Sequence, residues 1–149
     1  MEGLRGGGAL NFAVAVEHEL HSRVFLPFAK HFREKGGNAA VDDRTPRWLR
    51  DFCEFLQRDG RNPGLGTMFK AISEASRART HLMRDFAEWL RQCHPTVLVD
   101  VPRMESDTRF MVEVRDRESH PRLVTKEEAE RAARICRSIL NVLVKPAAG

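Results

Sequence analysis

ALNFAVAVEHELHSRVFLPFAKHFREK, residues 9–35, is the stretch that decides the fold. Its apolar side chains recur at steps of four residues and form one stripe, made of Phe12, Val16, Leu20, Val24 and Phe28. Glu17, His21 and Lys30 lie off that stripe. This spacing matches the period of an amphipathic α-helix. We therefore predict one long helix over residues 9–35, with a bend near Pro27, because proline cannot donate a backbone hydrogen bond.

The next segments repeat the pattern of helix and loop. GGNAAVDD ends the first helix, and Thr45-Pro46 has the form of an N-cap followed by proline in the first helical turn. After the loop GRNPGLG, residues 67–92 show helical spacing at both ends but a polar middle, SEASRART. This middle either faces solvent within one helix or interrupts the helix. Trp48 and Trp89 fall on apolar positions, which favours a place in the core.

The last third of the chain predicts two more helices. Val97 to Val101 is a short β-favouring run between prolines, and we interpret it as an extended connection because no second strand accompanies it. Residues 107–118 form the fourth predicted helix. Thr125 and Glu128 have the spacing of a capping box, which predicts the start of a final helix that runs toward Leu143.

These elements predict an all-α fold, an up-and-down bundle of four to five helices. We expect a single domain over residues 9–145, with flexible ends at residues 1–8 and 146–149. The chain could be a domain that belongs with a larger fused or partner protein.

Composition narrows the function classes. The chain has 149 residues, 25 basic against 21 acidic, and a net charge of +4, which permits an acidic partner such as RNA without requiring one. The three cysteines form no CxxC pair and no even-numbered disulfide framework, which indicates a reducing cytoplasm. No apolar run is long enough for a secretory signal or a membrane span, so we expect a cytoplasmic protein that does not engage a membrane.

Familiar cofactor motifs are missing. The sequence has no P-loop, no HExxH and no dinucleotide fingerprint, and GLG at residues 64–66 is interpreted as a helix start. We predict neither a metal nor a cofactor, although His18 and His21 would share a helix face if a third ligand approached. Arg77, Arg79 and Arg84 form a basic patch that either contacts RNA phosphates or is a solvated helix face.

One constellation carries possible chemistry: Arg115-Asp116-x-x-x-His120, in RDRESH. Pro121 disfavours helix at His120, so Arg115 and Asp116 are expected in the last turn of the fourth helix and His120 in the loop beyond. An arginine binds a scissile phosphate, and a histidine moves protons near neutral pH. Asp116 is expected to orient either one. The competing interpretation is a charged helix end with no catalytic role.

The RDRESH motif, followed by the capped helix VTKEEAERAARICRSIL, resembles the HEPN domain, an all-helical family with many metal-independent ribonucleases. FAVAVEHELHSRVFLPF and GLGTMFKAI also resemble opening segments of bacterial members, so the likeness covers most of the chain. The resemblance implies an endoribonuclease whose catalytic residues are Arg115, Asp116 and His120. It implies a homodimer with a composite site, acting as a toxin or an antiviral effector, with a possible antitoxin partner.

Arg117 and Arg122, which flank the motif, are predicted RNA contacts together with the basic patch. The alternative function is a non-catalytic helical adaptor that uses an apolar face for dimerisation or for docking to a larger defence or regulatory protein.

Overall fold

The computed structural model describes residues 7–39, 41–57, 62–118 and 125–144, except the side chains of residues 7–11, 115–118 and 144. All regular secondary structure in these residues is helical, which confirms the predicted all-α bundle. The α-helices are α1 (Gly7–Leu20), α2 (Leu26–Glu34), α3 (Arg47–Gln57), α4 (Leu65–Arg77), α5 (His81–Cys93), α6 (Val101–Glu118) and α7 (Lys126–Val144). Of the two predicted flexible ends, residues 1–6 and 146–149 lie outside the described residues, whereas residues 7 and 8 belong to α1 and are helical, against the prediction.

Pro27 explains why the first predicted helix is irregular. Proline has no N–H for the carbonyl of Arg23, and its ring crowds that carbonyl. The chain widens into a π-helical turn, His21–Phe25, in which the N–H of Leu26 donates to the carbonyl of His21. The Arg23 carbonyl instead accepts a hydrogen bond of 2.8 Å from Nε2 of His94. The irregularity expected near Pro27 is therefore a π-turn between α1 and α2, held by the residue that ends α5.

Two glycines end α2 where the sequence predicts a break. Gly36 has a φ of 71°, and its N–H donates to the carbonyl of Arg33 at 3.0 Å. The N–H of Gly37 donates to the carbonyl of Phe32 at 2.8 Å. This pair of bonds is the Schellman motif. A Cβ on Gly37 would lie 2.7 Å from the carbonyl oxygen of Phe32, so the close approach requires glycine.

The start of α3 differs from the prediction. The helix begins at Arg47, and its first turn is closed by a bond from the N–H of Arg50 to the carbonyl of Pro46. The hydroxyl of Thr45 accepts from the N–H of Asp42 at 3.0 Å. Thr45 therefore closes the turn before the helix rather than capping the helix itself, because Asp42 occupies its hydroxyl.

The polar stretch between α4 and α5 interrupts the helix, which decides between the two interpretations of residues 67–92. Ala78 has a left-handed φ of 49°, and its N–H donates to the carbonyl of Glu74 at 3.0 Å. The hydroxyl of Thr80 then accepts from the N–H of Met83 at 3.2 Å and caps α5. A left-handed residue followed by an N-cap ends one helix and begins another within three residues.

The predicted extended connection at residues 97–101 is wrong. Residues Pro95–Leu98 form a 3₁₀ turn, and α6 begins at Val101, six residues before the predicted start. The carboxylate of Asp100 accepts from the N–H of Arg103 at 3.2 Å and caps the helix, and Pro102 suits its first turn. Val97 is buried in the core, so packing outweighs the β propensity of the valines.

The core divides into two regions of different composition. The aromatic half comprises the π-turn, α2, α3 and α5, whose rings meet around Phe28: the Phe28 centroid lies 4.6 Å from that of Phe86 and 5.6 Å from that of Trp89. Phe25 and Phe52 complete this cluster. Trp89 is therefore a core residue as predicted, and Trp48 is half-buried against the core. In the other region, α1 packs against α6, α7 and α4.

Candidate functional site at the end of the α6–α7 hairpin

Helices α6 and α7 form an antiparallel hairpin, and the predicted catalytic motif begins in the last turn of α6. Near the junction, the guanidinium carbon of Arg131 lies 4.1 Å from the ring centroid of Phe110. At the opposite end, the hydroxyl of Thr96 donates to the carbonyl of Val142 at 3.0 Å. Thr96 lies in the 3₁₀ turn just before α6, and Met104 of α6 lines one cavity with Ile139 of α7, so the start of α6 lies beside the end of α7. The end of α6 and the start of α7 therefore lie at the same end of the hairpin.

Buried residues anchor both arms of the hairpin close to this junction. Met111 and Val114 of α6 are almost fully buried, and Val114 directly precedes Arg115. Ala129 and Ala132 of α7 are equally buried. Small side chains at these positions allow α1 to pack closely against both arms. The packing of Val114 therefore fixes the position of the α6 backbone directly before Arg115.

The start of α7 is the capping box predicted from Thr125 and Glu128. The N–H of Glu128 donates to the hydroxyl of Thr125 at 3.1 Å, and the N–H of Thr125 donates to the carboxylate of Glu128 at 3.0 Å. Each side chain satisfies a backbone donor that has no partner within the helix. The capping box is confirmed, and it fixes the residue at which the chain re-enters the hairpin.

The structure places part of the predicted catalytic set. α6 ends at Glu118, so Arg115, Asp116 and Arg117 lie in its last turn, as predicted for the first two. The side chains of these three residues lie outside the described residues. His120 and Arg122 also lie outside the described residues. A joint site for Arg115, Asp116 and His120 stays a prediction of the sequence.

The predicted basic patch at residues 77–84 is occupied by contacts within the chain. Arg77 and Arg79 both reach the carboxylate of Glu74, at 3.2 Å and 3.1 Å. Lys70 lies 3.7 Å from the same carboxylate. Burial raises the pKa of Glu74, but the hydrogen bond from Arg79 and the three nearby positive charges outweigh it, so the net pKa is lowered. This arrangement ties down the end of α4 and its left-handed cap.

Arg84, the third residue of the predicted patch, differs from the other two. It is exposed on α5 and its side chain forms no hydrogen bond or ion pair among the residues that the structure describes. RNA contact by Arg77, Arg79 or Arg84 stays a prediction. The ion pairs favour a structural role for Arg77 and Arg79.

The histidines of the first helix do not form a metal-binding group with other described residues. No cluster of three or more His, Cys, Asp or Glu side chains suited to a metal is present in the described ranges. The ring of His21 packs against Phe55 with a centroid distance of 5.5 Å. Burial and the charge of His18 lower the pKa of His21, and Glu17 opposes them. His21 therefore behaves as a packed, neutral side chain.

Two of the cysteines, Cys53 and Cys136, are buried like apolar residues, whereas Cys93 is exposed. All three, Cys53, Cys93 and Cys136, are free. Burial raises the pKa of the Cys53 thiol to about 11, and burial also raises that of Cys136 despite the charge of Arg137. A thiol with a raised pKa is a poor nucleophile at neutral pH. Neither buried cysteine is a candidate for covalent chemistry.

Two charged residues of the first two helices have roles that the sequence does not indicate. The carboxylate of Glu17 accepts from the N–H of Leu65 at 2.9 Å and caps α4, whose own N-cap residue is Gly64. The guanidinium of Arg33 donates to the carbonyls of Leu56 and Phe55 at 2.7 Å and 2.8 Å, at the end of α3. A negative charge at the start of a helix and a positive charge at its end both interact favourably with the helix dipole. Both contacts span more than twenty residues, so no local pattern reveals them.

A cleft lies between α3 and α4. It has a volume of about 770 Å³ and is lined by side chains of both charges, including Arg47, Asp51, Glu54 and Lys70. Gly64 and Gly66 line it where α4 begins, which confirms that GLG is a helix start. The described lining carries both charges, and its hydrogen-bond donors do not converge on one point, so the cleft does not indicate a ligand.

The fold and the hairpin define an all-α helical domain with an anchored junction between its last two helices. No protein-family model matches the chain, and neither the curated proteins nor the solved structures gave a match. Among the helices that the structure describes, none is both long and apolar enough to cross a membrane.

Proposed function

We propose that the protein is a metal-independent endoribonuclease of the HEPN type, with Arg115, Asp116 and His120 as its catalytic residues. The observation that carries the proposal is the order Arg-Asp-x-x-x-His, which begins on the last turn of α6. The anchoring of both hairpin arms supports it, because catalytic groups must be held within a fraction of an ångström of their working positions.

The chemistry needs only the groups in this motif. His120 removes the proton from the 2′-hydroxyl of RNA, whose oxygen attacks the adjacent phosphorus. The bond from phosphorus to the 5′-oxygen breaks, and that oxygen takes up a proton from an acid group or water. The products are a 2′,3′-cyclic phosphate and a 5′-hydroxyl end. Arg115 stabilises the extra negative charge on the phosphate oxygens, and Asp116 holds the arginine or the imidazole in position.

The proposed site is composite and forms across a homodimer, as the resemblance to HEPN domains implies. Two copies of Arg115 would then face one phosphate, which doubles the positive charge at the reacting centre. The same resemblance supports a role as a toxin or antiviral effector inside the cell, restrained by an antitoxin or a fused partner. A dimer that forms at the concentration of the cleavage assay is a requirement of this arrangement.

The test is cleavage of single-stranded RNA in EDTA by the wild type, His120→Ala and Arg115→Ala. We expect each variant to lose about 10²-fold to 10⁴-fold in rate, the usual range for an acid–base or charge-stabilising group. His81→Ala and Arg91→Ala are matched controls, because both residues are exposed and lie on α5, more than twenty residues before the motif. Light scattering and circular dichroism establish dimer mass and folding. Full cleavage by folded His120→Ala and Arg115→Ala would rule out the assignment.

A second candidate, a non-catalytic dimerisation module, is favoured by the apolar groove at the open end of the hairpin. Val99 is 79% exposed there, beside a cavity of about 230 Å³ lined by Val97, Met104, Ile139 and Val142. A large exposed apolar side chain is common at protein interfaces. If a second copy of the chain covers this groove, Val99→Glu should convert a dimer into a monomer in light scattering. A dimer that persists in this variant would exclude the groove as the interface.

A further inference from the structure

We propose that the exposed face of α7 is an RNA-binding track formed by Arg131, Arg134 and Arg137, which leads away from the hairpin junction. The proposal rests on the proposed function for its choice of RNA as the ligand. None of these three arginines belongs to the predicted RNA-binding set. All three are exposed.

Helical spacing places the three guanidinium groups along one side of α7. Residues three apart on an α-helix are surface neighbours, with Cβ atoms about 5–6 Å apart. At a rise of about 1.5 Å per residue, Arg131 lies about 9 Å along the helix axis from Thr125, and Arg137 about 18 Å. A strand of RNA whose scissile phosphate sits at the junction would therefore pass successive arginines along the helix.

The charge around these arginines differs from that around Arg77 and Arg79. The acidic residues of α7, Glu127, Glu128 and Glu130, all lie in its first turns, and none follows between Arg131 and Val144. Arg134 and Arg137 have no hydrogen bond or ion pair among the residues that the structure describes. Their guanidinium groups therefore retain their full donor capacity for phosphate oxygens.

The arginines at the end of α4 form ion pairs, whereas Arg134 and Arg137 of α7 do not among the described residues, and this difference favours α7 as the RNA-binding surface. Arg77 and Arg79 are paired with Glu74, so a phosphate would compete with that carboxylate for their guanidinium groups. On α7, a phosphate would replace only water and counterions. Release of counterions is the main source of affinity for nucleic acid, and it makes affinity fall with salt. Arg131 also contacts the ring of Phe110, which fixes the end of the track nearest the junction.

The test is equilibrium binding of a fluorescein-labelled single-stranded RNA of mixed sequence, followed by anisotropy over a series of KCl concentrations in EDTA. Every protein carries His120→Ala so that the RNA stays intact. The test variant adds R134Q and R137Q, and the control variant adds R77Q and R79Q, which removes the same charge. Arg131 is left in place because of its contact with Phe110.

We expect R134Q/R137Q to weaken binding about tenfold and to reduce the slope of log K against log salt by about 1.4, since each phosphate contact on a single strand contributes about 0.7. The control should change the slope by less than half as much. Equal slopes for the two variants, or an unchanged affinity for R134Q/R137Q, would overturn the track. Absence of RNA binding by the parent protein would overturn it as well.

This experiment separates the track from the proposed catalysis. Salt-dependent binding that R134Q/R137Q weakens, together with no cleavage by the wild-type chain, supports the track and rejects the ribonuclease. Cleavage by the wild-type chain with no effect of R134Q/R137Q on binding supports the ribonuclease and rejects the track. Circular dichroism melting curves establish that the paired variants are equally folded.

Discussion

The aromatic half of the molecule and the α6–α7 hairpin are both packed into one core, but with different side chains. In the aromatic half, Phe25, Phe28, Phe52, Phe86 and Trp89 bring their rings within about 6.4 Å of one another in successive pairs. In the hairpin, the buried residues are mostly alanines and branched aliphatic side chains, and Phe110 is the aromatic residue at its edge. Large rings bury more apolar area for each residue that is ordered.

The two regions therefore make different contributions: the aromatic half contributes mainly to stability, and the hairpin carries the groups proposed for RNA binding and cleavage. The aromatic half carries most of the described buried aromatic side chains and none of the residues of the proposed catalytic motif or of the arginine track. The hairpin carries the proposed catalytic motif and the arginine track, and its small residues let α1 lie close to both of its arms. Substitutions of buried rings in the first region should therefore act through unfolding, whereas substitutions of the exposed arginines of α7 should act on RNA binding at nearly constant stability.

The largest expected effect comes from Phe28→Ala. The ring is fully buried against Phe86 and Trp89, so its removal should lower the free energy of unfolding by about 3–5 kcal/mol. Phe110→Ala is the matched change in the hairpin and should cost less, because that ring lies at the edge of the core. Urea denaturation followed by tryptophan fluorescence measures both. Equal losses would contradict the division of the core into two regions.

A smaller effect is expected from Thr125→Ala, which removes the cap of α7. Loss of the hydroxyl that accepts from Glu128 should lower the free energy of unfolding by about 1 kcal/mol. The cleavage rate should fall by more than this loss of stability explains, because the cap holds one side of the junction. Thr67→Ala, within α4, is the control. A variant with lower stability but wild-type cleavage would separate the capping box from the proposed site.

The smallest expected effect on stability concerns His21 and His94, the two histidines at the π-turn. It is small near neutral pH and grows as the pH falls. Burial lowers the pKa of His94 despite its bond to the Arg23 carbonyl, and burial with the charge of His18 lowers that of His21 despite Glu17. In both rings Nδ1 is buried with no hydrogen-bond partner, so a proton added there would have no acceptor.

The sign of the pH dependence follows from proton binding. The unfolded chain, whose histidines titrate near 6.5, binds more protons in acid than the folded chain does. The stabilising effect of the two neutral rings is complete above that pH and is lost as the pH falls from there through the lowered folded-state pKa values. Urea denaturation over this range should show a weaker pH dependence for His94→Gln than for the wild type. An identical pH dependence would show that His94 does not contribute.

Several features of the fold followed from local sequence. The Pro27 irregularity, the break at Gly36 and Gly37, and the capping box at Thr125 each depend on residues within one or two turns of each other. Backbone geometry at such sites depends on the residue type itself, so the prediction needs no knowledge of neighbours. The prediction failed at Val97–Val101, where β propensity was weighed above the cap at Asp100 and the burial of Val97.

Less of the candidate site than of the fold could be predicted from the sequence. The motif at residues 115–120 follows from the order of its residues, and its helix-end position was predicted because Pro121 limits the helix. The arginines of α7 were not distinguished from those near Glu74, since the chain order does not show which carboxylates each guanidinium meets. The sequence left Arg77 and Arg79 as either phosphate contacts or a solvated helix face, and the structure pairs both with Glu74.

The sequence by itself determined that the chain is helical, where most of its helices begin and end, and which face of each helix is apolar. These properties depend on periodicity and capping, which act over a few residues. Only the tertiary structure decided that Glu17 caps α4, that His94 binds the carbonyl left by Pro27, and that Arg134 and Arg137 of α7 form no ion pair among the described residues. An apolar stripe shows that a helix face must be buried, but the shapes of all the packed helices together determine which partner covers it.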